Sequence, residues 1–320
     1  MRAIHIAAPR KIEFLDAPVP QPKDGEVLVK CSHVALCGSN MGQYTGVGVW
    51  ADLNFPNPVG WAGHENIGTI VESRAKDWTP GTLVLAQPEG YYGFAEYIVA
   101  RPPGVAWLPQ NPPDVAALIV AQPLSTILRA MTQTENVVNQ RCAVIGTGPM
   151  GLIWTHVLHH FGAAQVIAVD LLAWRLEWAK RFGAQVVIDA SKENVVQAVK
   201  DLTKGERLDF VATAASSVES LTTAAYLLKR GGRLFAFGMP DYNDQKFPWY
   251  ATFRNETKII TSVGPECSAF FQTAADMVVD GRANDLGAMV TPRMPWDRAA
   301  EAFEMYANCA EGSLKLTLEL

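Results

Sequence analysis

The 320-residue sequence lacks a long uninterrupted apolar stretch. Its longest purely apolar run, residues 115–121, ends at Gln122, whereas a helix that crosses a bilayer needs about 20 apolar residues. The N-terminus also lacks the apolar core of an export signal, because Pro9 and Lys11 interrupt it. These absences predict a soluble, cytoplasmic protein with no membrane partner.

Cysteine is scarce, and its spacing shows no pairs. The five cysteines are odd in number, scattered and without a C-x-x-C motif: Cys31, Cys37, Cys142, Cys267 and Cys309. This pattern is typical of reduced thiols and argues against a disulfide framework. Any cysteine that binds a metal therefore does so without a neighbouring cysteine.

Positive charge is not in excess. The sequence has 27 Lys and Arg against 32 Asp and Glu, a formal net charge of −5, which argues against a polyanion binder whose affinity comes from released counterions. We therefore expect no nucleic-acid partner.

Hydrophobic residues make up 49% of the sequence and charged residues 18%, a composition typical of a packed chain. At about 100–200 residues per domain, the length predicts one large or two medium domains.

The segments along the chain predict two parts with different folds. The first hundred or so residues are rich in Pro, Gly and short β-like runs, whereas strands alternate with amphipathic helices from Cys142 onward. That alternation predicts a doubly wound parallel sheet in an α/β fold. The predicted strands span residues 142–145, 165–169, 185–188, 209–213, 233–237 and 258–263.

Capping residues and glycine stops predict the helices between these strands. They span residues 149–161, 172–182 and 218–229, with one more helix capped by Ser191. A tail follows, with predicted helices at 269–279 and 296–306 and a strand at 314–318. We expect this tail to return to the first part of the chain.

A glycine loop lies between the first predicted strand of the alternating part and its helix. It reads Gly146-Thr-Gly148-Pro149-Met150-Gly151. In a G-x-G-x-x-G loop, the first glycine permits a tight turn, the second lets the backbone approach a pyrophosphate, and the third lets helix and strand pack closely. The helix N-terminus adds free N–H groups and a positive dipole. The loop, including Pro149 and Met150, therefore predicts a dinucleotide-binding site.

One acidic residue bears on the choice of dinucleotide. Asp170 ends the next predicted strand, about 20 residues further on, where a carboxylate accepts hydrogen bonds from the ribose hydroxyls. Because an acid there repels a 2′-phosphate, the sequence favours NAD over NADP. Arg175 is a further candidate cofactor-binding residue, and its positive charge keeps NADP open.

Two segments of the first part carry metal-ligand types. Cys37 begins the run Cys37-Gly-Ser-Asn, and the pair His64-Glu65 lies further along the chain. Each residue alone is more typical of a structural role. Together they supply the thiolate, imidazole and carboxylate that a catalytic zinc takes.

Six short motifs, in their order along the chain, resemble those of a known protein family. They are Cys37-Gly-Ser39, Gly63-His64-Glu65-x-x-Gly68, Gly93-Phe-Ala-Glu-Tyr97, Gln122-Pro-Leu124, the glycine loop with Asp170, and Gly312-Ser-Leu-Lys315. With these, nearly the whole chain resembles the medium-chain dehydrogenase/reductase superfamily, and within it the zinc-dependent alcohol and polyol dehydrogenases. The resemblance implies a GroES-like β-rich catalytic domain, residues 1–120 and 268–320, and a Rossmann NAD-binding domain, residues 121–267.

The resemblance also implies an activity and the roles of residues. The activity is NAD(H)-dependent interconversion of a secondary alcohol, polyol-like or another small hydroxy compound, and its ketone. It implies that Cys37 and His64 are ligands of one catalytic zinc, that Glu65 is a ligand or a close neighbour exchanging with water, and that Ser39 contacts the substrate hydroxyl. As a Lewis acid the zinc would favour the alkoxide, from which hydride leaves for the nicotinamide.

The sequence departs from the family at three places. Polyol dehydrogenases have Glu-Pro-Leu with a zinc-binding Glu where this chain has Gln122, whose neutral oxygen is a poorer zinc ligand. The alternatives are a site that uses Glu65 instead, a weak site, or an empty one. Gly42 stands where a proton-relay histidine is expected, so proton release needs water or another group. Residues 85–92 replace a lobe with four cysteines, which implies no structural zinc.

The sequence leaves two other functions open, and the resemblance implies an oligomeric state. A zinc-free reductase or cyclase, motivated by Gln122 and Gly42, and a non-catalytic dinucleotide-binding protein are the alternatives. The resemblance implies a homo-oligomer, a dimer or tetramer, built through the strand near residues 258–263. Tyr44 and Phe94, close to the motifs, are candidates to line a substrate pocket.

Overall fold

The structure is a computed structural model that describes residues 1–48, 55–239, 246–262 and 268–320. The chain divides into two compact units, one of Met1–Thr126 with Pro265–Leu320 and one of Ile127–Gly264. The functional domain borders expected from the sequence stay predictions. Val263, the expected end of one strand, and Cys267 lie outside the described residues.

The element bounds within the described residues are as follows. The strands are β1 (Arg2–Ala8), β2 (Lys11–Asp16), β3 (Val27–Ala35), β4 (Asn66–Ser73), β5 (Leu83–Pro88), β6 (Tyr97–Trp107), β7 (Arg141–Ile145), β8 (Gln165–Asp170), β9 (Val186–Asp189), β10 (Leu208–Thr213), β11 (Leu228–Ala236), β12 (Lys258–Thr261), β13 (Arg293–Pro295) and β14 (Thr317–Glu319). The helices are α1 (Asn40–Thr45), α2 (Ala121–Met131), α3 (Pro149–His160), α4 (Ala173–Arg181), α5 (Val195–Leu202), α6 (Val218–Leu227), α7 (Trp249–Arg254), α8 (Ser268–Val279) and α9 (Ala299–Ala307). Across the described parts of the chain, no helix combines the length and apolarity needed to span a bilayer.

The first unit is built around a curved sheet. Its strand order is β13-β14-β3-β4-β5-β6, and β3 also pairs with β6, which closes much of the sheet on itself. Pairing is antiparallel except between β13 and β14. The core lies inside this sheet, where Val29, Val84 and Ile98 pack with Trp296 and Phe303 from the C-terminal segment. The tail thus returns to the first part of the chain, as expected.

The second unit is a six-stranded parallel sheet in the order β12-β11-β10-β7-β8-β9. Strands β7 and β8 are buried along most of their length, which explains their continuous apolar sequence. The glycine loop follows β7, which lies between β8 and β10 where the strand order reverses, the position at which such sheets bind ligands. The expected α/β class, with a GroES-like β-rich part and a doubly wound Rossmann part, is confirmed.

One helix cap differs from the prediction. Helix α5 begins after Asn194, not near Ser191, because the Asn194 side chain accepts a hydrogen bond from the amide of Gln197 at 2.9 Å. The Ser191 hydroxyl instead donates to Asp189 at 2.5 Å. Both residue types cap helices well, so the sequence pattern alone did not separate them.

Two strands begin several residues away from their predicted starts. Strand β11 begins at Leu228, and its register with β10 shifts before Arg233, where Gly231 adopts a positive φ of 74°. The last strand begins at Thr317, because the amides of Leu314 and Lys315 donate at 3.0 Å to the carbonyls of Thr291 and Met289, which lie outside any strand. The Gly231 amide also donates to the Asn255 carbonyl at 2.7 Å, so in both cases a backbone contact with another segment accompanies the changed border.

Candidate active site

Cys37 lies in the turn between β3 and α1, and this turn is braced by Asn40. The Asn40 side-chain oxygen accepts from the Cys37 amide at 2.9 Å, and its side-chain nitrogen donates to the Ala62 carbonyl at 2.9 Å. Asn40 is 1% exposed. It therefore ties the cysteine turn to the segment that carries His64. Asn40 was assigned no role from the sequence, although its three-residue spacing from Cys37 permits a local side-chain-to-backbone hydrogen bond of this kind.

His64 is held with one ring nitrogen turned to the backbone. Its Nδ1 lies 3.1 Å from the Ala62 carbonyl oxygen. Because a carbonyl oxygen only accepts, this contact places a proton on Nδ1 and leaves Nε2 to face other groups. Nε2 lies 3.9 Å from Oε1 of Glu65, and the ring of Tyr91 meets the imidazole edge-on with centroids 6.1 Å apart.

The structure brings Cys37, His64 and Glu65 together. One ligand atom from each lies within 4.8 Å of the others. Tetrahedral zinc with bonds of about 2.0–2.3 Å places its ligand atoms about 3–4 Å apart, so a small closure of these side chains suits one ion. A thiolate, an imidazole and a carboxylate fit a catalytic zinc in chemistry as well as in number.

The cysteine and the histidine change each other's protonation. Burial opposes ionisation of the Cys37 thiol, but the hydrogen bond and the charge of His64 outweigh it and lower the thiol pKa to about 7. Burial likewise disfavours the imidazolium, yet the hydrogen bond and charge of Cys37 raise the pKa of His64 to about 9. Without a metal, the two residues therefore form a thiolate–imidazolium pair near neutral pH.

Glu65 is paired with a lysine from the far end of the chain. Nζ of Lys315 donates to Oε1 of Glu65 at 2.7 Å and to the Leu36 carbonyl at 3.2 Å. Both charged side chains are 1% exposed. Within the described residues, Oε2 of Glu65 has no hydrogen-bond partner, so this oxygen remains available to a ligand. Lys315 belongs to a quoted motif but was assigned no role; a lysine inside an alternating apolar run is itself a signal of buried pairing.

Within the described residues, the structure gives positions for Ser39 and Gln122 but no side-chain hydrogen bond from either to this cluster. Ser39 is exposed at the start of α1, where its side chain makes no capping hydrogen bond within the described chain. Gln122 is buried in the first turn of α2. The substrate role of Ser39 and the ligand role of Gln122 stay predictions. The expectation that Tyr44 and Phe94 line a pocket is wrong, because both are core residues, 2% and 0% exposed.

The glycine loop has the geometry that its sequence predicts. Gly146 has a φ of +89°, which favours glycine. Gly148 precedes the first turn of α3, in which Pro149 and Met150 are the first residues. A Cβ on Gly151 would lie 1.8 Å from the Gly146 carbonyl oxygen. Only glycine therefore permits α3 to start this close to β7, with its free N–H groups at the loop.

Asp170 and Arg175 both lie at this loop. Oδ2 of Asp170 accepts from the Thr147 amide at 2.6 Å and from the Thr147 hydroxyl at 2.9 Å, and Oδ1 accepts from the Leu172 amide at 3.0 Å. Nη1 of Arg175 lies 3.8 Å from the position that a Cβ on Gly148 would take. An acid and a base thus border the loop.

The fold and this loop define a protein of dinucleotide-binding type with a second, β-rich unit. Residues 23–110 match the alcohol dehydrogenase GroES-like domain family, and residues 149–280 match the zinc-binding dehydrogenase family. Together the matches cover more than half of the chain. The chain therefore belongs to the medium-chain dehydrogenase/reductase superfamily, with the zinc-type alcohol dehydrogenases, as the motifs predicted.

Two relatives with similar sequences and one similar solved structure support this assignment. The chain is 28% identical to D-xylulose reductase A of Aspergillus oryzae, over 92% of this chain and 90% of the relative. It is 29% identical to sorbitol dehydrogenase of Bacillus subtilis, over 76% of each chain. The structure of an alcohol dehydrogenase from Thermus sp. ATN1 superposes over 100% of both chains with a TM-score of 0.88 at 23% identity, which shows a shared fold. The chain is thus an NAD(P)-dependent alcohol oxidoreductase of small molecules.

Proposed function

We propose that this enzyme interconverts a secondary alcohol of polyol type, or another small hydroxy compound, and its ketone with NAD(H) and one catalytic zinc. The convergence of Cys37, His64 and Glu65 within 4.8 Å carries the proposal. When bound, the zinc would stabilise negative charge on a substrate oxygen and the nicotinamide would accept hydride. The similarity to a sorbitol dehydrogenase and a D-xylulose reductase supports a polyol-type substrate.

The residues of this chain supply specific functions in the reaction. Cys37 and His64 would hold the metal, with Glu65 offering its unpartnered oxygen and Gln122 as a further candidate ligand. Ser39, exposed beside Cys37, would contact the substrate hydroxyl and begin the exit route of its proton. Because Gly42 has no side chain to relay that proton, water reached through exposed Ser39 would complete the route.

The cofactor is held by the glycine loop and its acid. The N–H groups of Gly148, Met150 and Gly151 would bind the pyrophosphate, whereas Pro149 has no N–H group and begins the helix. The negative charge of Asp170 favours the 2′-hydroxyl of NAD over a 2′-phosphate. The homo-oligomer and the cytoplasmic location expected from the sequence stay predictions.

Metal analysis of protein purified without chelator tests the proposal. We expect about one zinc per chain. Cys37→Ala should lose the zinc and the turnover of polyols while NADH still binds. Cys309→Ala, which changes an exposed cysteine, is the matched control and should keep both. Unchanged turnover in Cys37→Ala would refute the role of the metal.

A zinc-free reductase is the second candidate function, and Gln122 favours it. A neutral amide in place of the family's glutamate weakens metal binding, and Lys315 already neutralises Glu65. This candidate requires turnover with a ketone substrate in protein that contains no zinc. NADH binding without turnover of any alcohol or ketone would instead indicate the non-catalytic alternative.

A further inference from the structure

The carboxylate of Asp170 is held by the residue between the first two glycines of the loop. Thr147 donates to Oδ2 from both its amide and its hydroxyl, at 2.6 and 2.9 Å. Its side chain is 0% exposed. These are hydrogen bonds to a charged acceptor, which are shorter and stronger than neutral ones. The acid at the end of β8 and the loop after β7 are thus joined through one side chain.

The hydroxyl of Thr147 restricts how the carboxylate can turn. A carboxylate has about four sites for accepted hydrogen bonds, and three are filled here by Thr147 and the Leu172 amide. The two backbone amides hold one oxygen each, and the Thr147 hydroxyl adds a second bond to Oδ2 that hinders rotation of the carboxylate out of this plane. The branched side chain of Thr147 is itself restricted at χ1. The negative charge therefore stays at the loop instead of turning towards solvent.

A positive group borders the same loop. Nη1 of Arg175 lies next to Gly148, and its Nε has no hydrogen-bond partner among the described residues. A carboxylate that was free to turn away would leave this positive charge beside a bound dinucleotide. A 2′-phosphate would then meet less repulsion and more attraction.

We propose that Thr147 is a positioning residue that determines coenzyme specificity by fixing Asp170, so that the preference for a 2′-hydroxyl over a 2′-phosphate depends on its hydroxyl. This inference rests on the proposed use of NAD(H). Nothing in the glycine pattern requires a threonine at this position. The role therefore belongs to this chain's own loop and not to the fingerprint.

The test measures the dissociation constants of NADH and NADPH by fluorescence titration. Thr147→Val removes the hydroxyl and keeps the shape and the amide. We expect the ratio of the NADPH constant to the NADH constant to fall about 10- to 150-fold, the size of a lost hydrogen bond to a charged group. Thr147→Ser should keep the ratio within about twofold of the original enzyme.

Thr155→Val is the matched control. Thr155 is also 0% exposed, but its hydroxyl donates to the Gly151 carbonyl at 2.8 Å. Its loss should leave the ratio unchanged. In an Asp170→Asn background, Thr147→Val should have no further effect on the ratio, since Thr147 acts through that carboxylate. If Thr147→Val does not fold, Thr147→Ala replaces it in the same comparison.

Three results overturn the proposal. An unchanged ratio in the folded Val or Ala variant, with a changed ratio in Asp170→Asn, would show that Asp170 needs no support from Thr147. A further drop in the Asn background would show that Thr147 acts by another route. If the original enzyme prefers NADPH or binds neither coenzyme, the proposed NAD(H) function fails first, and the proposal for Thr147 fails with it.

Discussion

The buried pair of Lys315 and Glu65 leads to a stability prediction of large size. Lys315→Met keeps the length of the side chain and removes its charge. Glu65 is 1% exposed and its Oε2 has no hydrogen-bond partner among the described residues, so the substitution leaves a buried carboxylate without its direct ion-pair partner. The His64 imidazolium lies 3.9 Å away, but the Cys37 thiolate already balances its charge. Removing one partner of a buried pair destabilises a protein by about 3–5 kcal/mol, a large part of a typical folding free energy of about 5–15 kcal/mol.

Hydrogen exchange read by mass spectrometry is the suitable assay. The two units of the chain need not unfold together, so one global denaturation curve does not isolate the effect. The amides of β3 and β4 lie around the pair and report local opening directly. Metal-free protein should be used, because a bound cation would itself compensate the carboxylate. We expect these amides to exchange at least a hundredfold faster in Lys315→Met.

Two further variants make this prediction refutable. Lys30→Met is the control, since it makes the same change at an exposed position of β3 and should leave exchange nearly unchanged. The double variant Lys315→Met, Glu65→Gln should recover most of the protection, because an amide is far less costly to bury than a charge. If Lys315→Met resembles the control, or if the double variant is no better than the single one, the uncompensated charge is not the cause.

The other predictions concern the two candidate sites. In metal-free protein, the rate of Cys37 alkylation should rise with pH around a midpoint near 7 and not near 9, since the thiol pKa is lowered to about 7. The variant His64→Ala should move this midpoint upward, because burial alone raises the pKa of the thiol. Peptide mapping by mass spectrometry follows this residue separately, and an unmoved midpoint in the variant would contradict the pairing. The variant Gly151→Ala should lower the melting temperature and the NADH affinity, because its Cβ meets the Gly146 carbonyl. The variant Gly148→Ala should fold normally and lose only NADH affinity, since the nearest neighbour of its Cβ is the flexible side chain of Arg175 at 3.8 Å. Equal melting temperatures for the two variants would contradict this division.

The dinucleotide loop could be predicted from the sequence because its requirements are local. The turn at Gly146, the close approach at Gly151 and the acid at Asp170 follow from short segments whose strand and helix patterns are strong. The parallel sheet follows in the same way, from alternating buried strands and amphipathic helices. Its class is confirmed, and the largest differences are the earlier start of β11 and the later cap of α5.

The contacts around Cys37, His64 and Glu65 could not be predicted, because they join distant segments of the chain. Lys315 pairs with Glu65 across 250 positions of the chain, and Asn40 reaches the Ala62 carbonyl across 22. No short-range pattern measures such distances. The same limitation explains why Tyr44 was expected at a pocket: its closeness in sequence to Cys37 did not reveal that its ring packs on Phe303 in the core.

The charges of the cluster connect the family departure at Gln122 with the unexpected Lys315. Without a metal, the Cys37 thiolate balances the His64 imidazolium and the Lys315 ammonium balances Glu65. In the proposed ligand set with a divalent cation and neutral His64, the thiolate and the carboxylate neutralise the cation, and the lysine charge remains. A glutamate at position 122 would cancel that charge, whereas a glutamine does not. The net positive charge that results favours negative charge developing on a substrate oxygen, so a neutral fourth donor is compatible with alcohol oxidation at this site.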